Sequence, residues 1–232
     1  MRLGASEQTA MTRYVMVADL RRCIGCQTCT AACKQANATP PGVQWRRVLD
    51  LEVGEYPAVR RVFVPTGCQH CADPPCEWVC PTTATRRRPD GIVEILYDLC
   101  IGCSACAVAC PYEARYKVEK QEFAFGDEPT ADEELRADDS RIGVATKCTF
   151  CADIVDAGVA HGLTPGEHPD ATPACVNLCI SGALAFGDID NPQSKVSKLL
   201  RENKHFRMHE EQGTNPGFYY LWDEDLCHDR DP

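Results

Sequence analysis

The stretch from Asp98 to Tyr112 places four cysteines in the order C-x-x-C-x-x-C-x-x-x-C-P. This spacing is typical of a chain that ligates a [4Fe–4S] cluster, because it puts three thiolates on one tight loop. The fourth cysteine, Cys110, comes after a longer gap and points away from that loop. In two-cluster proteins such a cysteine ligates the neighbouring cluster. The stretch therefore predicts another cysteine run elsewhere in the chain.

The chain contains four cysteine runs, numbered here in chain order, and the stretch above is run three. Run one has the same cysteine spacing as run three, and both runs begin with CIGC. The glycine of this segment, Gly25 in run one and Gly102 in run three, permits the tight backbone that a cluster requires. Run two has a wider gap that contains Pro74 and Pro75, and run four is interrupted by 23 residues. The runs are Cys23, Cys26, Cys29 and Cys33; Cys68, Cys71, Cys76 and Cys80; Cys100, Cys103, Cys106 and Cys110; and Cys148, Cys151, Cys175 and Cys179.

The cysteine content predicts that metal–thiolate bonds replace part of the hydrophobic core. The chain has 17 cysteines but only seven phenylalanines and three tryptophans, so the clusters should be structural as well as redox-active. Disulfides are a less favoured alternative, because disulfide scaffolds are usually short and secreted. Run four alone also fits a zinc ribbon, although its neighbours favour a cluster. Cys227 is expected to be a thiol outside the ligand sets.

Charge and hydropathy exclude several classes of function. The net charge of −10, made more negative by bound clusters, disfavours nucleic-acid binding. No stretch approaches the roughly 20 apolar residues of a membrane span, and Met1 to Tyr14 lacks the apolar core of a secretory signal. We therefore expect a soluble, cytoplasmic chain. We find no phosphate-binding loop, nucleophile–base pair or surplus metal ligands, so no catalytic residues are predicted and the chain should conduct electrons.

Short strands and helices are predicted between the runs. The predicted strands are Arg13–Leu20, Gly91–Tyr97, Ala114–Val118 and Ala183–Phe186, with a hairpin over Val43–Val64 that turns at Gly54–Pro57. The predicted helices are Ala31–Ala36, Ala152–Ala160 and Pro192–Arg201. Residues 121–140 are rich in Asp and Glu and predict an inserted surface loop with a helical turn. Beyond Glu202 the chain lacks a periodic core pattern, which suggests a tail that wraps over a partner.

Basic and aromatic residues near the runs admit functional and structural interpretations. The hairpin arginines could form a basic face or a solvated strand face, and Arg86–Arg88 could be a docking patch or a solvated turn. Lys147 should favour the reduced state of a nearby cluster. Trp78 is expected to pack over a cluster rather than to transfer electrons. The hairpin arginines are Arg46, Arg47, Arg60 and Arg61.

The order of the four runs, with the second widened and the fourth interrupted, resembles the iron–sulfur subunits of the molybdopterin oxidoreductase, or dimethyl sulfoxide reductase, family. The resemblance covers roughly Arg13 to Arg201. The ending GTNPGFYYLWDE is similar to the sulfite dehydrogenase and polysulfide or thiosulfate reductase branch. Some nitrate reductase relatives replace one ligand by tryptophan, whereas every position here is cysteine. The resemblance therefore implies four [4Fe–4S] clusters.

The family architecture implies an α+β fold of two interleaved bacterial-ferredoxin-like modules with inserted loops and a partner-wrapping C-terminal tail. Residues 13–60 with 140–203 would form the module of clusters 1 and 2, and residues 61–118 that of clusters 3 and 4. Residues 119–139 would be the acidic insertion and 204–232 the tail. The implied ligands are Cys23, Cys26, Cys29 and Cys179 for cluster 1; Cys33, Cys148, Cys151 and Cys175 for cluster 2; Cys68, Cys71, Cys76 and Cys110 for cluster 3; and Cys80, Cys100, Cys103 and Cys106 for cluster 4.

The same resemblance implies an electron-transfer subunit that links a molybdopterin catalytic subunit to a quinone-reactive integral membrane subunit. Cluster 1 would face the first partner and cluster 4 the second, in a complex of sulfite dehydrogenase type. Alternatives are a polysulfide, thiosulfate or dimethyl sulfoxide reductase subunit, a free polyferredoxin shuttle, and a zinc-stapled interaction module. The expected location is the cytoplasmic face of the inner membrane, peripheral through the partner, or the periplasm if the catalytic subunit is exported.

Overall fold

A computed structural model describes residues 12–222 of the 232-residue chain. The fold is α+β, as predicted, and is built from short elements that alternate with the cysteine runs. Its strands are β1 (Tyr14–Asp19), β2 (Arg46–Val53), β3 (Arg60–Gly67), β4 (Thr85–Arg87), β5 (Val93–Ile95), β6 (Tyr116–Lys117), β7 (Ala145–Thr146), β8 (Leu184–Asp188), β9 (His205–Phe206) and β10 (Phe218–Leu221). Its helices are α1 (Thr28–Asn37), α2 (Pro75–Trp78), α3 (Ala105–Val108), α4 (Ala131–Arg136), α5 (Ala152–Ala160), α6 (Ala174–Asn177) and α7 (Lys195–Glu202).

The largest sheet has the strand order β8-β1-β10-β9, with β1 fully buried at its centre. Because successive side chains of a strand point to opposite faces, β1 serves two cores. Val15 and Val17 pack with Val196 of α7 on one face. Met16 and Ala18 face the other side, in a core that also contains cysteines of runs one and four. Runs one and four therefore pack against the face of the sheet that carries Met16 and Ala18.

Strand β10 corrects the prediction of a wrapping tail. Phe218–Leu221 is buried along its whole length and pairs in parallel with β1, while β9 pairs with β10. A parallel strand that is buried on both faces has a continuous apolar sequence without alternation of apolar and polar residues. The sequence FYYL of β10 therefore has no periodic pattern from which a core strand could be predicted. The predicted tail is thus wrong for Phe218–Leu221. Cys227 lies outside the described residues.

Most of the other predicted elements are confirmed, with shifted ends. Helix α5 has the predicted bounds, and β2 and β3 form the predicted hairpin along their full lengths. Helix α1 is longer than predicted and begins at Thr28. Helix α7 begins at Lys195 because Ser194 caps it by accepting from the Ser197 backbone N–H, so Pro192 precedes the helix rather than occupying its first turn.

The acidic insertion forms a surface segment with one short helix, as predicted. Helix α4 begins with a capping box in which the Thr130 hydroxyl accepts from the Glu133 N–H and the Glu133 carboxylate accepts from the Thr130 N–H. None of the residues of α4 is buried. Between residues 12 and 222, no helix is both long and apolar enough to cross a membrane.

Candidate iron–sulfur sites

The loops of runs one and three have the same backbone geometry. Gly25 and Gly102 have φ of +69° and +65°, and the residues before α1 and α3, Gln27 and Ser104, have φ of 60° and 62°. A Cβ on Gly25 would strike the Phe63 ring, and one on Gly102 would strike the Gly143 carbonyl oxygen. Only glycine is compatible with both the positive φ and the close contact. The CIGC repeat is thus a structural repeat of a cluster-binding loop.

Runs one and four meet where α1 packs against α6. Cys29 and Cys33 lie on α1, and Cys175 lies on α6. Burial raises the pKa of Cys29 to about 11 although Arg46 lowers it, and burial raises the pKa of Cys148 to about 11 against the same opposing charge. Cys33 of run one lies near Cys148 and Cys175 of run four. Burial raises its pKa, and these two thiols raise it further.

Cys23 and Cys179 interact electrostatically. Burial raises the pKa of Cys23, and the nearby Cys179 thiol raises it further. Cys151 is buried beside Cys175 and Cys148, and its pKa is raised to about 12, first by burial and then by those two thiols. The structure thus brings the end of run four next to the start of run one. It also brings Cys33, at the end of run one, to the other three cysteines of run four.

Runs two and three meet where α2 packs against α3, and a cavity beside α2 is lined by cysteines of both runs. Pro74, Pro75 and Arg115 contribute to its wall. Burial raises the pKa of Cys71 to about 12, and Cys68 raises it further. The cysteines that line this cavity are Cys68, Cys71, Cys76 and Cys110.

The remaining cysteines of runs two and three are Cys80, Cys100, Cys103 and Cys106. Cys100 and Cys106 pack with Cys76 and Val93 in one small core. Cys80 follows α2, and its Sγ accepts a hydrogen bond from the Thr85 backbone N–H at 3.5 Å. The cavity therefore unites one set of four cysteines directly. That Cys80 and Cys103 join Cys100 and Cys106 in a second set stays a prediction.

The donor chemistry of these sites fits iron–sulfur clusters. The sixteen cysteines within residues 12–222 are free thiols, so the disulfide alternative is wrong for them. Across the same residues, no group of three or more His, Cys, Asp and Glu side chains is arranged to hold a single metal ion. When bound, an iron–sulfur cluster would accept and donate one electron at a time.

Buried polar residues between the runs were not identified as such from the sequence. Arg46 and Lys147 are each 1% exposed, and Arg115 is 7% exposed. The Lys147 ammonium donates to the carbonyl oxygens of Val93 and Cys148. For Arg46, both sequence interpretations, a basic face and a solvated face, are wrong. Arg46 is the first residue of β2. The pattern of apolar and polar residues around it does not show that its side chain points into the interior.

His70 and Phe150 join runs two and four. Each lies inside a C-x-x-C pair, and their rings stack with centroids 3.6 Å apart. His70 Nδ1 accepts from the Val93 backbone N–H at 3.0 Å. Burial lowers the pKa of His70 well below its usual value, and Lys147 lowers it further, so the ring is neutral. The two halves of the chain are therefore in direct contact at their cysteine loops.

Two further expectations concern surface residues. Trp78 is 74% exposed, and its packing over a cluster stays a prediction. Arg86 forms an ion pair with Glu94 across the β4–β5 hairpin. Arg88 is held by the carboxylates of Asp90 and Asp156, each at 2.7 Å. The binding of a partner by Arg86–Arg88 stays a prediction.

Comparison with known proteins agrees with this geometry. A family model described as "4Fe-4S dicluster domain" matches residues 59–125, which contain runs two and three. This match and the cysteine sites define an iron–sulfur protein that contains a [4Fe–4S] dicluster domain.

Three relatives from different organisms match most of the chain. A protein of Halobacterium salinarum, named as the iron–sulfur B subunit of a dimethyl sulfoxide reductase, is 41% identical over 91% of this chain and 79% of its own length. The B subunit of selenate reductase from Mesobacillus selenatarsenatis is 40% identical over 90% of this chain and 72% of its length. The B subunit of sulfite dehydrogenase from Allochromatium vinosum is 36% identical over 91% and 83%. The chain belongs to the iron–sulfur B subunits of the molybdopterin oxidoreductases.

Proposed function

We propose that this chain relays electrons through four [4Fe–4S] clusters between a molybdopterin catalytic subunit and a quinone-reactive membrane subunit. The thiol neighbours described above support two sets from runs one and four, and the cysteine-lined cavity supports a third set from runs two and three. The two modules interleave because the last cysteine of each run joins the set of its partner run. The proposed ligand sets are Cys23, Cys26, Cys29 and Cys179; Cys33, Cys148, Cys151 and Cys175; Cys68, Cys71, Cys76 and Cys110; and Cys80, Cys100, Cys103 and Cys106.

The exposure of the cysteines carries the relay proposal. Cys26 of run one and Cys103 of run three are the exposed cysteines among the sixteen described, and they occupy equivalent positions in the two CIGC segments. Electrons must enter and leave near the surface, so clusters 1 and 4 are suited to be the ends of the relay. The more deeply buried sets would lie between them.

Exposed apolar residues follow cysteines of clusters 1 and 4 in the sequence. For cluster 1, Ile24 is 59% exposed and Ile180 69% exposed; for cluster 4, Ile101 is 66% exposed. Exposed apolar residues that cluster together commonly mark protein interfaces. We propose that the Ile24 surface binds the catalytic subunit and that the Ile101 surface binds the membrane subunit, which would also anchor this chain peripherally.

The catalytic partner determines the substrate. The segment GTNPGFYYLWDE favours a sulfite dehydrogenase type of complex. The higher identities to the subunits named for dimethyl sulfoxide and selenate reductases favour a reductase as the second candidate. The side of the membrane should follow the catalytic subunit. The cytoplasmic face is proposed, and an export signal on the co-purified large subunit would place the complex in the periplasm instead.

Affinity purification from detergent-solubilised membranes tests the partners. The tagged chain should retain both subunits, whereas Ile24→Glu should lose the molybdenum subunit alone and Ile101→Glu the membrane subunit alone. Phe125→Glu is the matched control, since Phe125 is an exposed apolar residue of the acidic insertion, and should retain both. The reverse losses would reverse the orientation of the relay. Recovery of the chain as a free protein with full iron content would favour the polyferredoxin shuttle.

A further inference from the structure

The side chain of Arg46 is buried among sulfur atoms. Its Nη2 donates to Met16 Sδ at 3.0 Å and lies 3.9 Å from Cys175 Sγ. Its guanidinium carbon is 5.0 Å from the centre of the Phe218 ring. Nε and Nη1 have no hydrogen-bond partner among the described residues. A buried cation is costly unless negative charge compensates it, so this site requires an anionic neighbour.

Arg115 occupies a similar site in the other half of the chain. It is buried, its Nη2 donates to Cys76 Sγ at 2.9 Å, and its Nη1 donates to Thr85 Oγ1 at 3.0 Å. Burial lowers the pKa of Arg115, but the thiols of Cys76 and Cys68 outweigh burial and raise it overall. The guanidinium thus remains charged next to a predicted ligand.

The two arginines contact cysteines at equivalent positions of runs four and two. Arg46 begins β2, which follows run one, and Arg115 directly precedes β6, which follows run three. Each side chain reaches the third cysteine of the run with which its own run interleaves. That cysteine is Cys175 of run four for Arg46 and Cys76 of run two for Arg115. Contact with the third cysteine of the partner run in both halves indicates a role tied to the clusters rather than to local packing.

We propose that Arg46 and Arg115 are positioning residues that raise the reduction potentials of the two inner clusters, 2 and 3. This inference rests on the proposed ligand sets. Reduction adds one electron, and thus one negative charge, to a cluster. A buried cation and an N–H donor directed at a ligating sulfur stabilise that added charge, whereas clusters with exposed ligands are stabilised more by solvent. The relay would then have inner clusters that accept electrons more readily than these sites would without the arginines.

Redox titration of the intact complex, followed by EPR, tests the proposal. Arg46→Gln and Arg115→Gln should each lower the potential of one cluster, so that the ratio of reduced to oxidised cluster at a fixed ambient potential falls at least tenfold, which is 59 mV for one electron. The larger effect is expected for Arg115, whose N···S distance is shorter. Arg61→Gln is the control, because Arg61 is an exposed arginine of the same hairpin as Arg46, and should leave all potentials unchanged.

The affected signals identify the clusters. The Arg46→Gln shift should fall on the EPR signal that Cys175→Ser alters, and the Arg115→Gln shift on the signal that Cys76→Ser alters. Unchanged potentials in both glutamine variants at full iron content would overturn this inference and leave the ligand sets intact. Fewer than four clusters in the unmodified complex would instead overturn the proposed ligand sets.

A second measurement needs no variant, in case the glutamine proteins fail to assemble. The unmodified complex is labelled with arginine carrying ¹⁵N in the guanidinium group and examined by pulsed EPR in the reduced state. Weak ¹⁵N coupling to two clusters is expected, because one guanidinium nitrogen lies near a ligating sulfur in each inner set. The absence of any arginine ¹⁵N coupling would contradict the proposal.

Discussion

Replacing Phe218 by alanine should strongly destabilise the folded chain, although the residue lies close to the end of the described sequence. Phe218 is 0% exposed and pairs in register with Met16 of the central strand β1. Its ring stacks on Tyr220 with centroids 4.9 Å apart, and the Arg46 guanidinium carbon lies 5.0 Å from the ring centre. Removing the ring would therefore leave a cavity between the sheet and the cysteine-bearing core.

The size of the effect follows from burial. Truncation of a buried phenylalanine costs about 3–5 kcal/mol, a value that already includes the contacts of the ring. For a chain of this length, each 1 kcal/mol lowers the midpoint of thermal unfolding by about 2–4 °C. The expected decrease for Phe218→Ala is therefore about 6–20 °C.

Circular dichroism of the cluster-loaded protein under anaerobic conditions measures this midpoint. Phe125→Ala is the matched control, because Phe125 is 87% exposed and surface substitutions usually change stability by no more than about 0.5 kcal/mol. Equal midpoints for Phe218→Ala and Phe125→Ala would refute the assignment of β10 to the core and would restore the interpretation of this segment as a tail.

Three other perturbations test the loops and the ligand sets. Gly102→Ala should lower the unfolding midpoint more than Gly162→Ala, because both glycines have positive φ but only at Gly102 would a Cβ strike a carbonyl oxygen, that of Gly143; equal decreases would contradict this packing. Cys179→Ser should alter the EPR signal of the first-run cluster and spare the second-run cluster, and the opposite loss would overturn the pairing. Removal of iron and sulfide should abolish cooperative unfolding, since the thiols replace part of the core; a cluster-free transition near that of the loaded protein would argue against this.

The features predicted correctly from the sequence are those set by local chemistry. Cysteine spacing reports the shape of a single loop, and the tight backbone predicted at Gly25 and Gly102 is found there as a positive φ with close contacts. The β2–β3 hairpin and α5 were found from apolar pattern and turn residues within short windows. Each of these signals lies entirely within the segment that it describes.

The features missed from the sequence depend on partners far away in the chain. The side chain of Arg46 points into the interior, where it contacts Met16 and Cys175. The residues next to Arg46 in the sequence do not show this. Strand β10 is core because it pairs with β1, some two hundred residues earlier. The exposure of Trp78 depends in the same way on how α2 meets the rest of the fold. Long-range pairing, rather than local propensity, decides these positions.

The iron and acid-labile sulfide content of the intact complex, with Mössbauer spectra of ⁵⁷Fe-labelled protein, tests the central claim most directly. The sixteen described cysteines form four proposed sets, so we predict about sixteen cubane iron atoms on this chain, after subtracting any iron that the partner subunits carry. All of that iron should be in [4Fe–4S] clusters. Half that content, or zinc in place of iron at any set, would contradict a four-cluster relay.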